Sequence, residues 1–224
     1  MTAATDVRAA ADRVRARIAD AGGDPDAITL VAVTKGHGPE AIDAAAAAGL
    51  LDVGESRAQE LVAKEAAVTA TGARVHFIGQ LQRNKVRSIA HLVHLWQSID
   101  RLTVASEVAA RAPGARILVQ VNLTDDPSRG GAPPPMVAGV VEGARDLGLD
   151  VAGLMAVAPQ GGPDVARAGF LEVVRLADAL GLPERSLGMS GDLEEAVGAG
   201  ATIVRVGTAL FGTRPRFDQG RVGN

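Results

Sequence analysis

Eight short apolar runs, each followed by a stretch with helical spacing, predict an α/β fold: a (β/α)8 barrel of the TIM type with an extra N-terminal helix. Three observations carry this. The β-branched runs recur along the whole chain. The 224 residues show no break in composition, so one domain spanning 1–224 is expected. After the eighth run only the short segment ALFGTRP remains before the tail, so the leading helix is expected to cover the last gap.

The elements follow in order. Residues 5–21 read as a helix, with Val7, Ala11, Val14 and Ile18 on one face and Arg8, Asp12, Arg15 and Arg17 on the other. Gly22 and Gly23 stop it. Ile28, Leu30, Val31 and Val33 form the first strand, in the run ITLVAVTKGH, and Pro39 suits the first turn of an alanine-rich helix ending at Gly49. Strand two is expected at 51–55, with a helix over 57–71. Strand three is at 74–79, with a helix from about 84 to 93. Strand four lies at 95–99, followed by a helix over 101–112. RILVQVNL at 116–123 is the cleanest strand. The polar, Pro- and Gly-rich stretch 124–135 behind it is a candidate flexible lid. A helix to about 148, a strand at 151–157 and a helix at 163–180 come next. Strand seven is expected at 186–190, a short helix at 193–200, and strand eight at 203–206.

Composition narrows the function classes. Hydrophobic residues make up 47% and charged residues 22%, as in ordinary globular chains. A net charge of −3 argues against a general nucleic-acid binder. With no cysteine there is no disulfide framework, thiolate zinc site or cysteine nucleophile. No apolar run is long enough to span a membrane, and the N-terminus lacks a signal-peptide core, so a cytoplasmic protein is expected. A monomer is expected as well.

Candidate chemistry gathers at strand ends. The 23 basic residues include only three lysines, Lys35, Lys64 and Lys85, against 20 arginines. A chain that defaults to arginine and keeps a lysine at the mouth of an apolar strand points to an amine that can lose its proton and act as a nucleophile. The alternative is a lysine snorkelling to solvent. Ser190, after strand seven, and Gly207 with Thr208, after strand eight, stand where barrels of this kind commonly hold phosphate. Ordinary capped turns would look the same, and Asp192 would compete with a bound anion. Arg205 alternates inward within IVRVG. It is either half of a structural ion pair or a cation facing a ring nitrogen, where it would disfavour pyridine protonation. His76 points into or beside the same mouth, with a structural role as its leading reading. Arg83, Asn84, Lys85 and Arg87 read as a solvated helix start. Together the lysine and the two loops describe a site for a phosphorylated aldehyde.

At this point the sequence resembles a known family. AVTK (32–35), VGESRAQE (53–60), HFIGQLQRNK (76–85) and QSIDR (97–101) look like segments of the pyridoxal-phosphate homeostasis proteins. So do QVNL (120–123), GLMAVAP (153–159), LGMSGDLEEAVGAG (187–200) and VRVGTALFG (204–212). The resemblance implies the fold of the alanine racemase N-terminal domain and the cofactor pyridoxal 5′-phosphate (PLP). It implies that Lys35 carries the cofactor as an aldimine, that Arg205 faces its pyridine nitrogen, and that Ser190, Gly207 and Thr208 hold its phosphate. His76 and Met155 would line the pocket more loosely. The implied role is PLP storage and transfer to apo-enzymes, with control of amino- and keto-acid pools, rather than robust turnover. A PLP-dependent racemase or decarboxylase and a cofactor-free Schiff-base aldolase are the alternatives. The chain has no tyrosine to serve as a racemase's second base, and residues 151–159 contain no lysine for an aldolase. Ser56, His37 and Arg129 depart from the family's usual Asn and two lysines.

Overall fold

In a computed structural model, described here for residues 4–124, 126 and 129–213, eight parallel strands close into a barrel in the order β1 to β8. They are β1 Thr29–Val33, β2 Asp52–Glu55, β3 Arg74–Phe77, β4 Val93–Ile99, β5 Arg116–Val121, β6 Asp150–Ala156, β7 Glu184–Ser186 and β8 Ile203–Val206. The helices are α1 Ala4–Asp20, α2 Glu40–Ala47, α3 Ala58–Ala63, α4 Glu65–Thr71 and α5 Arg83–Ile89. They continue with α6 Leu102–Arg111, α7 Val137–Asp146, α8 Pro163–Ala179, α9 Leu193–Ala199 and α10 Thr208–Phe211.

Side-chain alternation divides the apolar residues into two layers. Val31, Leu95, Leu118, Ala152, Met155 and Ile203 fill the barrel interior. The alternate residues, such as Ala32, Val53, Phe77, Trp96, Val119, Leu154 and Val204, face outward into a larger core against the helices. Helix α1 buries Val7, Ala10, Ala11, Val14 and Ile18. It packs on α2, α9 and α10, covering the gap left by the short segment after β8.

Four differences from expectation have local causes. The helix expected over 57–71 is two helices, α3 and α4, broken at Lys64, whose side chain turns into the core. Val93 opens β4 instead of ending the preceding helix, since Val75 of β3 pairs with it. Strand seven spans Glu184–Ser186 and stops short of 187–190, because the chain after Leu187 turns through Gly188 at φ +83. The expected lid is partly tied down. Ala132 pairs with Val121, and the Asn122 carboxamide accepts hydrogen bonds from the Thr124 amide at 2.9 Å and its hydroxyl at 2.8 Å. Residues 125, 127 and 128 of that stretch, and Arg214 and Pro215 of the last one, lie outside the described residues.

Candidate functional site

Lys35 stands two residues beyond the end of β1, and the backbone beneath it is held by buried charge. Thr34 is fully buried, and its hydroxyl donates to Glu55 Oε1 at 2.6 Å. Lys64 Nζ donates to the same oxygen at 2.5 Å and to the Thr34 carbonyl at 2.9 Å. Burial pushes the Glu55 carboxyl above its ordinary pKa against the pull of Lys64 and Thr34. Its Oε2 has no hydrogen-bond partner among the described residues. Just after Lys35, the Gly36 amide donates to Glu60 Oε2 at 2.8 Å, and Gly36 takes φ +77, where a side chain would be strained. Residues 34 and 36 are thus anchored on both sides, which fixes the direction in which Lys35 leaves the strand.

Lys35 lines a cavity of about 210 Å³ at the C-terminal end of the barrel, together with Ser190, Arg205, Gly207 and Thr208. His37, Ile78 and Met189 complete much of its wall. This is the end at which barrels of this type place their sites. The loop 188–192 shapes one side. A Cβ on Gly188 would lie 2.5 Å from the Ala196 methyl, so the loop can approach α9 only with glycine there. Asp192 stands at the N-cap of α9 without a side-chain cap hydrogen bond. Its Oδ1 accepts from the Met189 amide at 2.6 Å and braces the loop. Ser190 is tied at both ends: its carbonyl accepts from Arg17 Nη2 at 3.1 Å and its hydroxyl from the Ala209 amide at 3.4 Å. Arg17 is itself paired with Glu194 at 2.6 Å, so α1 supports the loop as well as the core.

Arg205 lies 3% exposed at the base of the cavity. Nη1 donates to the Ser186 carbonyl at 2.6 Å and hydroxyl at 2.7 Å, and Nη2 donates to the Ala156 carbonyl at 2.7 Å. Among the described residues no carboxylate is within ion-pair distance, so the ion-pair reading of Arg205 does not hold. Burial pulls its pKa down to about 10, with Asp192 opposing from a distance. It remains a cation at neutral pH.

His76 and Met155 are not among the residues that line this cavity. His76 is 3% exposed and engaged on both ring nitrogens, with Gln97 Nε2 at 2.7 Å from Nδ1 and Asp52 Oδ1 at 3.0 Å from Nε2. Met155 is packed in the barrel interior. Ile78, the residue just past β3, lines the cavity. The residues that sequence reasoning missed are Lys64, Glu55, Gln97 and Asp52. Lys64 carried a signal as one of three lysines, and Gln97 as a polar residue inside LWQSI. The basic cluster starts α5 apart from this cavity, with Arg83 Nη2 at 3.7 Å from Glu107.

Comparison with known proteins gives a consistent picture. The family model for the alanine racemase N-terminal domain matches residues 6–215. The pyridoxal phosphate homeostasis protein of Pseudomonas aeruginosa is 38% identical over 221 residues, covering 95% of this chain and 96% of that one. The structure of PipY from Synechococcus elongatus with PLP bound superposes with a TM-score of 0.77 at 32% identity, over 89% of this chain and 100% of the other. Lysine decarboxylase from Selenomonas ruminantium shares the fold alone, with a TM-score of 0.71 at 16% identity over 93% of this chain and 61% of that one. The chain belongs to the alanine racemase N-terminal domain family and, within it, to the pyridoxal phosphate homeostasis proteins.

Proposed function

We propose that this protein binds PLP in the cavity at the C-terminal end of the barrel, holds it as an aldimine on Lys35, and serves as a cytoplasmic, monomeric store that passes the cofactor to apo-enzymes. One observation carries the reading: Lys35 and the buried cation Arg205 share one cavity with the hydroxyls of Ser190 and Thr208. That donor set fits a phosphorylated heteroaromatic aldehyde. Lys35 supplies the amine that condenses with an aldehyde and releases water. Arg205, charged and without a carboxylate partner among the described residues, suits a ring-nitrogen acceptor. Ser190, Thr208 and the Gly207 backbone suit a phosphate.

Each residue has a definite part. Lys35 is oriented by the clamped backbone of Thr34 and Gly36. Arg205 keeps its proton, so it donates to the ring nitrogen and leaves that nitrogen unprotonated. PLP bound in this way supplies a reactive aldehyde but a weakened electron sink, which favours holding the cofactor over using it. The relatives named as homeostasis proteins and the PLP-bound PipY support the assignment. An absorption titration of the purified chain with PLP tests it. The wild type should develop a visible band, and Lys35→Ala should bind PLP without that band. A wild type that gives no visible band would overturn the reading.

A further inference from the structure

Behind Arg205 a chain of buried polar groups crosses the barrel interior, from β8 through β7, β4 and β3 to β2. Arg205 Nη1 donates to Ser186 Oγ at 2.7 Å, and Ser186 Oγ donates to Gln97 Oε1 at 2.7 Å. Gln97 Nε2 then meets His76 Nδ1 at 2.7 Å, and His76 Nε2 meets Asp52 Oδ1 at 3.0 Å. Asp52 is held in turn by Arg74, through Nε at 2.9 Å and Nη2 at 2.5 Å. Ser186 and Gln97 are fully buried, and His76 and Arg205 are each 3% exposed. Asp52 and Arg74 open β2 and β3, so the chain ends at the face of the barrel opposite the cavity.

The direction of these hydrogen bonds is forced. An arginine has only donors, so the Ser186 hydroxyl must accept from it and spend its single hydrogen on Gln97. That fixes the Gln97 amide with Oε1 toward Ser186 and Nε2 toward His76. His76 Nδ1 must then accept, which leaves the ring proton on Nε2 facing the Asp52 carboxylate. Every donor points from the buried guanidinium toward the carboxylate. Bond dipoles aligned in this way reinforce one another in a low-dielectric interior. They also connect a cation lacking an adjacent carboxylate to a negative charge several residues away. None of Ser186, Gln97, His76 and Asp52 lines the cavity.

We infer that Ser186, Gln97, His76 and Asp52 are positioning residues for Arg205, forming a one-directional hydrogen-bonded chain that holds its guanidinium in a single orientation beneath the cavity. The effect on bound PLP rests on the function proposed above; the state of the chain itself does not. An all-apolar barrel interior would leave Arg205 held by the Ser186 and Ala156 carbonyls alone. The chain adds a side-chain acceptor of fixed orientation before any ligand arrives, so a ring nitrogen meets a more narrowly pre-oriented donor.

The test uses the chain free of PLP and then loaded with it. In nitrogen-15 NMR of the PLP-free wild type at neutral pH, His76 should be the Nε2-protonated tautomer and Arg205 should show resolved, slowly exchanging Nη signals. An Nδ1-protonated or doubly protonated His76 would overturn the inference. Gln97→Leu should average the Arg205 signals, which Arg205→Lys identifies; unchanged signals would also overturn it. On PLP titration, Gln97→Leu should weaken binding about tenfold, the loss of roughly one hydrogen-bond's worth of orientation, and shift the visible band. Val141→Ala, a core truncation on α7, should lower the melting temperature and leave affinity and band unchanged. Equal effects of the two variants would reduce the chain to ordinary core stability and overturn its positioning role. If the wild type gave no visible band with PLP, the proposed function would fail while the tautomer and Arg205 signals still judged the chain.

Discussion

Arg205 pairs opposite Val31 where β8 closes on β1, and that closure sets the guanidinium below the mouth that Lys35 reaches four residues after Val31. The two strands are the ends of the barrel in sequence and neighbours in space. Neither loop nor helix contact brings the amine and the cation together; the ladder does. Anything that shifts β1 relative to β8 therefore changes the site first.

Lys64 is the most exposed weakness of that arrangement, although it is 2% exposed to solvent. Lys64→Met should leave Glu55 as an unpaired buried carboxylate and cost about 3–5 kcal/mol in chemical denaturation. Lys64→Met with Glu55→Gln should recover part of the loss, since no charge is then stranded. A single variant as stable as wild type would show that the pair is not charged in the folded protein.

Gly188→Ala should harm both stability and ligand binding. The left-handed conformation at φ +83 costs a non-glycine residue about 1–2 kcal/mol, and the added methyl must also displace Ala196. Because the same loop carries Ser190, PLP affinity should fall in parallel with the melting temperature. A melting temperature unchanged within error would contradict the close packing of this loop on α9.

Ser190→Ala and Thr208→Ala should each weaken PLP by about 1.5–3 kcal/mol, the range for a hydrogen bond to a charged group. Neither should weaken pyridoxal, which lacks the phosphate. Competition between the two ligands in an equilibrium titration separates the outcomes. Equal losses for both ligands would place the phosphate elsewhere.

Asp52 gives the stability a definite pH dependence. Burial alone would raise its carboxyl, but the hydrogen bonds from Arg74 and His76 outweigh it and hold the pKa well below the ordinary value. A depressed folded pKa means that the stabilisation is fully present above the unfolded value, about 3.9, and is lost as the pH falls through the folded one. Wild type should therefore exceed Asp52→Asn in stability at neutral pH, with the gap narrowing below about pH 4. A gap constant down to pH 3 would remove the carboxylate's charge from the account.

The sequence makes the architecture and the upper rim of the site legible, for the same reason. Strand ends are marked by glycine, and Lys35, Ser190, Gly207 and Thr208 all sit just past one. Arg205 is legible as a cation inside an alternating apolar strand. Depth is not legible. Alternation tells which face of the sheet a residue occupies, whereas the height at which it stands inside the barrel depends on the stagger between strands. His76 and Met155 are buried inside the barrel and outside the lining of the cavity, a distinction that alternation does not carry. The burial of Lys64 is not legible because helical periodicity runs through it, and its buried partners Glu55 and the Thr34 carbonyl account for the break between α3 and α4. Gln97 and Asp52 lie on different strands, and their linkage through His76 exists only once the barrel closes.

Attachment of the cofactor at Lys35 is the central claim, and reduction followed by peptide mapping tests it most directly. Borohydride treatment of the PLP-loaded chain converts an imine to a stable amine, and mass analysis of the peptides locates it. The pyridoxyl mass should appear on the peptide containing Lys35 and on no other. Its recovery on Lys64 or Lys85, or the absence of any reduced adduct, would contradict the account.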